Sequence, residues 1–519
     1  MENVLSYYII VLEKWIRCMF RRDFMWGFSE AGFQFEMGYS PEAVDKNTDW
    51  YVWVTDPLNI LNRVVSGDRP EDGPGYWDLY KTDHDLIQRM GANTMRIGVE
   101  WSRIFPKPTR EVEAHVTVED GVIKSVEIPQ TAAEQLEKLA NKSAVMHYRD
   151  MLKDLRDRGF KVILNLNHFT QPIWVHDPIR ARASALREGP TGWADPSSVV
   201  EFVKYAHYAA TAFSDLVDMW STFNEPFVVT DIGYGRYSSE YAFPPGFFSI
   251  EALMRARLNL ICAHARGYDE LKKVLGKNST VGVIYATSAV EPLNKDDPED
   301  KRAAELLNHF SNLWFFETLT KGELDRSMMG LQTPEKVPEL KDKIDWIGVN
   351  YYSRIVARKP RIPGSPMMWD VVPGYGFACA PESFSAVGRP TSEFGWEIYP
   401  EGLRNVLNML SRYGKPMIVT ENGTADRLDR LRSQFLFSHI AAIEDAVKAG
   451  ADVRGYLHWS FIDNFEWARG FSMRFGVITY DPATKKRRAR PSYYIFRDII
   501  QVNGLDQNMR ETAELLYTP

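Results

Sequence analysis

Cysteine is nearly absent: the 519 residues hold three, Cys18, Cys262 and Cys379, far apart and without a C-x-x-C pair. That set builds no disulfide framework and no zinc knuckle, and a reducing, cytoplasmic setting is the expectation. No apolar run reaches the roughly 18 residues a membrane span needs, which argues against a membrane partner. The ten histidines show neither H-x-H nor H-E-x-x-H spacing, and His176 followed by Asp177 is too thin a ligand set. No metal and no cofactor is therefore expected. Positive charge is also short. A formal net charge of −7 disfavours a nucleic-acid partner. The one basic run, KKRRAR from Lys485 to Arg490, reads as a solvated turn between two short strands. No Pro/Gly/Ser linker, internal repeat or low-complexity segment divides the chain, so one domain is expected.

The N-terminus lacks a clear signal as well. Its apolar run, Val4 to Leu12, is short, follows an acid and leads into Glu13-Lys14 with no small-residue cleavage site, against a secretory signal. Residues 1–18 read as an N-terminal extension, either an amphipathic helix or translation begun upstream of Met19. Organised sequence starts at DFMWGFSEAGFQ, and residues 19–519 read as the domain.

What the chain does have is a repeated alternation. The runs FMWGFSEAG, TMRIGVEW, KVILNLNHF, MWSTFNEP, STVGVIYATS, IDWIGVNYY, PMIVTENG and VRGYLHWSF read as eight strands. Long amphipathic stretches such as VMHYRDMLKDLRDRG separate them, several ending at a glycine (Gly91, Gly159, Gly450), the expected helix stop. Eight strand–helix units with apolar strands imply a parallel sheet covered outside, and so a single (β/α)8 TIM barrel with loop insertions. One insertion, about residues 111–129, alternates around Asp120-Gly121 as a β-hairpin after the second strand. Another, about 358–395, is rich in Pro and Gly and reads as a long loop after the sixth.

In such a barrel the chemistry lies at the C-terminal strand ends. Two of those ends read nearly alike: STFNEP places Glu225 after the fourth strand, and IVTENG places Glu421 on the seventh. A carboxylate there is costly unless hydrogen-bonded or used, and a pair of them is what glycosidic cleavage needs. Other polar strand ends gather nearby: Gln34 after the first strand, His168 after the third, Asn224 beside Glu225, Asn350 and Tyr352 on the sixth. Trp459, Glu466 and Trp467 follow the eighth. Amides, a histidine and a carboxylate suit sugar hydroxyls, and tryptophan suits the apolar C–H face.

The ordered set TFNEP, IVTENG, MRIGVEWSRIFP, IDWIGVNYYSR and LHWSFIDNFEWARGFSMRFGV resembles glycoside hydrolase family 1, the retaining β-glycosidases, most closely its archaeal thermophilic branch. The resemblance runs from about Phe24 to Arg497. It implies that Glu225 is the general acid/base and Glu421 the nucleophile, and that Asn224 holds the 2-hydroxyl. Arg96 and Tyr352 would contact Glu421, with Asn350 in the same strand-end group. Gln34, His168, Glu466 and Trp467 would bind the other glycon hydroxyls. Trp459 would be the stacking floor, with Phe475 beside it. The implied substrate is a small β-glycoside or oligosaccharide, the implied assembly a homo-oligomer, a tetramer. A transglycosylase on the same residues and a catalytically weak carbohydrate-binding barrel are the alternatives. Departures from the family pattern are His168-Phe169 where His-Trp is usual, Phe35 and Arg469 at positions often small, and a short loop after TENGTAD. Loss of the indole N–H at Phe169 removes a donor that Thr170 or Gln171 would have to replace. Glu466, Met473 and Phe475 argue against the 6-phospho-glycosidase branch.

Overall fold

The computed structural model describes residues 20–235, 242–362 and 368–517; the extension expected at residues 1–18 lies outside them. Eight strands alternate with helices: β1 Met25–Ser29, β2 Thr94–Gly98, β3 Lys161–Asn167, β4 Met219–Asn224, β5 Val281–Pro292, β6 Trp346–Arg358, β7 Met417–Glu421 and β8 Val453–His458. Each pairs in parallel with the next in chain order. β8 returns to β1, with Met25 opposite Gly455, so the sheet closes. The fold is the eight-stranded (β/α)8 barrel expected from the alternation.

Each strand is followed by at least one helix. The first two of the outer ring are α1, Tyr76–Met90, and α2, Lys142–Asp157. α2 shows why these segments are helical. Val145, Tyr148, Met151, Leu152 and Leu155 share its buried face, and the Asn141 side chain caps it by accepting from the Ala144 N–H. The stops at Gly91, Gly159 and Gly450 all carry positive φ (88°, 85° and 102°), the left-handed turn that glycine adopts without a Cβ penalty.

Inside the barrel, Met25, Ile163, Ile284, Trp346, Ile418 and Leu457 form a separate buried cluster, each from a different strand. Burying each contributes about 1.5–3 kcal/mol, and together they plug the barrel. A Cβ on Gly348 of β6 would lie 2.5 Å from the Ile284 side chain, so that strand position must be bare.

Between β2 and α2 projects an antiparallel hairpin, His115–Glu119 with Val122–Glu127. Asp120 and Gly121 both have positive φ (50° and 76°), as a two-residue type I′ turn requires. The end of the long loop after β6 is tied to the barrel by Glu397, which meets Arg354 of β6 at 2.8 and 2.9 Å; Arg354 also meets Glu291 of β5 at 2.8 Å.

The basic run corrects its sequence reading. It does join two short antiparallel strands, Ile478–Tyr480 and Arg487–Ala489, but only part of it is solvated. Arg487 forms a bidentate pair with Asp83 and Arg490 one with Asp463, with side chains 5% and 8% exposed. A charge run does not disclose acids that lie far away in sequence. No helix among the described residues is long and apolar enough to cross a membrane.

Candidate active site

The C-terminal ends of the strands bring the two glutamates into one electrostatic unit. Glu421 is the last residue of β7. Arg96, on β2 and fully buried, places Nη2 2.7 Å from its Oε1. The Tyr352 hydroxyl, from β6, donates to Oε2 at 2.8 Å. Gly423, two residues on, is dictated by space: a Cβ there would lie 1.7 Å from the Trp459 carbonyl oxygen. The turn after the glutamate thus fits against the β8 loop only as glycine.

Glu225 follows β4 in a left-handed conformation, φ 49° and ψ 57°, with Pro226 opening the next short helix. A non-glycine residue there stores about 1–3 kcal/mol of strain. The gain is a carboxyl group turned to Asn350, whose Nδ2 donates to Oε1 at 2.7 Å. Asn350 is itself oriented by the Thr420 hydroxyl, which donates to its Oδ1 at 2.8 Å. Sequence reasoning grouped Asn350 with Arg96 and Tyr352 in support of Glu421. Its amide favours ionised Glu421 as well, but its shortest bond is to Glu225.

The two carboxyl groups have different surroundings and so different proton affinities. Burial and the nearby charge of Glu421 push Glu225 up to about 8. Burial also raises Glu421, but Arg96 and Tyr352 oppose it directly. No cation contacts Glu225 among the described residues, so the proton belongs on Glu225 and the charge on Glu421. Tyr352 is itself held well above the usual phenol range by burial and by the two carboxylates, and remains a donor.

Asn224 links this pair to the rest of the site. Its Oδ1 accepts from Arg96 Nη1 at 2.8 Å and from Asn350 at 3.0 Å, and its Nδ2 lies 3.0 Å from His168 Nε2. His168 is also 3.3 Å from Arg96 through Nδ1. Burial and that guanidinium hold it well below the usual imidazole range, so it is neutral. Gln34 donates through Nε2 to Asn464 Oδ1 and the Phe465 carbonyl, both at 3.0 Å, and approaches Glu466 at 3.4 Å. Its buried Oε1 has no protein partner. Such an unmet acceptor costs about 1–3 kcal/mol and is an open position for a ligand hydroxyl. Glu466 is pushed up to about 8 by burial and by Glu421, against Arg469.

The aromatic residues divide into two groups. Trp459 lies edge-on to Phe35 at 5.6 Å and is tilted on His168 at 6.0 Å. Trp467 rests on Phe33, Trp50 and Phe169. The Phe475 carbonyl accepts from the Ser460 N–H, next to Trp459, and its ring packs on Tyr352, Trp396 and Phe394, on the Glu421 side. Phe169 adopts φ 71° and is buried against Trp467 and Phe243. The neighbouring Thr170 hydroxyl lies 2.6 Å from Glu100, so it is engaged away from any lost indole contact. Sequence reasoning did not single out Trp396, Phe394, Asn464 or Glu100. Glu100 carried the usable signal, an acid two residues past an apolar strand; the loop aromatics carried none.

Glycosyl hydrolase family 1 is the family whose sequence model matches this chain, over residues 16–117 and 133–505. The interval omitted contains the hairpin's turn and second strand. A β-galactosidase of Pyrococcus woesei is 45% identical over 510 residues, covering 95% of this chain and 99% of its own. The crystal structure of the β-glycosidase from the hyperthermophile Thermosphaera aggregans superposes with a TM-score of 0.89 at 44% identity, over 95% of this chain and 99% of that one. A β-glucosidase mutant derived from a hyperthermophilic tetrameric structure gives 0.86 at 45% identity, over 96% and 98%. Sequence and shape agree over nearly the whole length, and the chain therefore belongs to glycosyl hydrolase family 1.

Proposed function

We propose that this glycoside hydrolase cleaves β-glucosides, β-galactosides and short β-linked oligosaccharides with retention, through a covalent glycosyl-enzyme on Glu421. One observation carries the assignment of roles: of the two buried carboxylates, Glu421 and not Glu225 pairs with a cation among the described residues, Arg96 at 2.7 Å. The ionised group attacks the anomeric carbon while protonated Glu225 delivers its proton to the leaving oxygen. Glu225, now ionised, takes a proton from water, and the second displacement restores the β configuration. Asn224, Gln34, His168, Glu466 and Trp467 hold the glycon, and Trp459 supplies its apolar floor. The test is hydrolysis of a panel of aryl β-glycosides, with cellobiose and lactose, followed by NMR. The β-anomer of the sugar is expected first, mutarotating later; an α-anomer first would overturn the mechanism.

Arg469 is the residue we assign to the aglycone side. Its guanidinium lies over the Phe394 ring, 4.6 Å from the centroid, and Phe394 stacks at 4.1 Å on Trp396, next to Tyr352. Arg469→Ser is expected to reorder kcat/KM among aglycones by about tenfold and among glycons by less than about threefold, one cation–π contact being worth about 0.5–2 kcal/mol. Steady-state kinetics on matched panels checks this, and the reverse ranking would place Arg469 at the glycon.

We further propose a single domain from residue 19 onward, with the hairpin and the loop after β6 as its insertions. A homo-oligomer is supported by the tetrameric origin of the solved β-glucosidase relative. A cytoplasmic setting is supported by the two described cysteines, Cys262 and Cys379, both free.

A further inference from the structure

Three buried carboxyl groups lie beside the site and take no part in the chemistry above: Glu30, Glu36 and Glu100. Glu100 is distinctive in what its two oxygens reach. Oε1 accepts from the backbone N–H of Phe33 at 2.9 Å, the residue before Gln34. Oε2 lies 2.6 Å from the hydroxyl of Thr170, two residues after His168. A side chain two residues past β2 therefore joins the loop after β1 to the loop after β3. Gly32 makes the approach feasible, since a Cβ there would lie 2.6 Å from Glu100 Oε1 and 2.9 Å from Glu36 Oε1.

We propose that Glu100 is a positioning residue for glycon binding: it fixes Gln34 relative to His168 and so sets glycon affinity without touching the substrate. This rests on the reading that Gln34 and His168 bind the glycon. Loops tied at one point drift, and misplacement by about 1 Å costs up to about 100-fold. Burial, Glu36 and Asp45 push Glu100 up to about 8, against the Thr170 hydrogen bond and Arg103. Glu30, Tyr148 and Tyr205 are the other ionisable groups that sense it. Glu100 accepts from the Phe33 N–H with one oxygen and from the Thr170 hydroxyl with the other. Glutamine keeps the shape and the acceptor toward Phe33, and its amide N–H meets the Thr170 hydroxyl, which can rotate to accept.

The experiment measures KM and kcat for a dinitrophenyl β-glycoside, and inhibition by an iminosugar glycon mimic, from pH 5 to 9. Glu100→Ala is expected to raise KM and the inhibition constant about tenfold, with kcat within about threefold. Glu100→Gln is expected to stay within about twofold. Thr170→Val is expected to cost about threefold alone and nothing further in the Glu100→Ala background. The proposal is overturned if Glu100→Gln is as damaging as Glu100→Ala, or if kcat falls while glycon affinity holds. Independent, additive losses for Glu100→Ala and Thr170→Val would also overturn it. If Glu100→Ala does not fold, Thr170→Val and Glu100→Gln decide. Gln34→Ala is the control: if it leaves glycon affinity intact, the reading of the site fails. If it weakens affinity while Glu100→Ala does not, only the bracket fails.

Discussion

Glu421→Gly is expected to lower turnover by roughly 10⁴-fold or more, about 5.5 kcal/mol of barrier at 1.36 kcal/mol per decade, and azide or formate is expected to restore part of it. The variant opens a space beside the anomeric carbon and leaves Arg96, which is fully buried, without its counter-ion. A small anion answers both losses: it pairs with the guanidinium and attacks from the face that the carboxylate held. Because it enters by a single displacement, the product with azide is the inverted α-glycosyl azide, which NMR identifies. The Tyr352 hydroxyl, deprived of its acceptor, remains available to orient the anion. Circular dichroism and thermal unfolding confirm that the variant is folded. A folded variant that no concentration of azide or formate revives would remove Glu421 from the nucleophile's role.

How far the sequence discloses this arrangement depends on which force positions each residue. The eight strands were legible because apolar runs bounded by amphipathic stretches have one economical solution, a closed sheet covered by helices. Glycine stops were legible for a local reason, the positive φ at Gly91, Gly159 and Gly450. Glu225 and Glu421 stood out because an acid on an apolar strand contradicts its surroundings, and the structure brings both to one Asn350. Glu100 satisfies the same criterion in GVEW and was passed over, since its partners Phe33 and Thr170 come from other loops. The placement of Phe475 beside Tyr352, and the pairing of Arg487 with Asp83, are likewise set by tertiary approach. Trp396 and Phe394 lie in a loop without periodicity, where no repeat marks which side chain turns inward. Local chemistry therefore reveals strand ends, while loop contacts emerge only in three dimensions.

Glu225→Ala is expected to separate substrates by leaving group. For unactivated glycosides such as cellobiose, kcat/KM should fall about 10²–10⁴-fold, the usual weight of general acid catalysis. For a dinitrophenyl glycoside, whose leaving group departs without a proton, the fall in kcat/KM should be less than about tenfold. The second step still lacks its base, so the glycosyl-enzyme should accumulate. A burst of dinitrophenol followed by slow turnover is the expected trace. Azide should accelerate that slow phase, here yielding the β-glycosyl azide, since it attacks the intermediate from the water's side. The pH profile supplies the sign. Glu225 acts in its protonated form, and burial with the Glu421 charge lifts it to about 8. Wild-type kcat/KM on unactivated substrates should therefore decline above about pH 8 as Glu225 loses its proton, and the variant should lack that limb. The limb reports the pair, because the charge on Glu421 is part of what keeps the proton on Glu225. Equal losses for good and poor leaving groups, or a variant that keeps the alkaline limb, would assign the acid elsewhere. The remaining buried acid of similar proton affinity beside Glu421 is Glu466, and it lacks the left-handed turn at the end of β4 that aims Glu225 at Asn350.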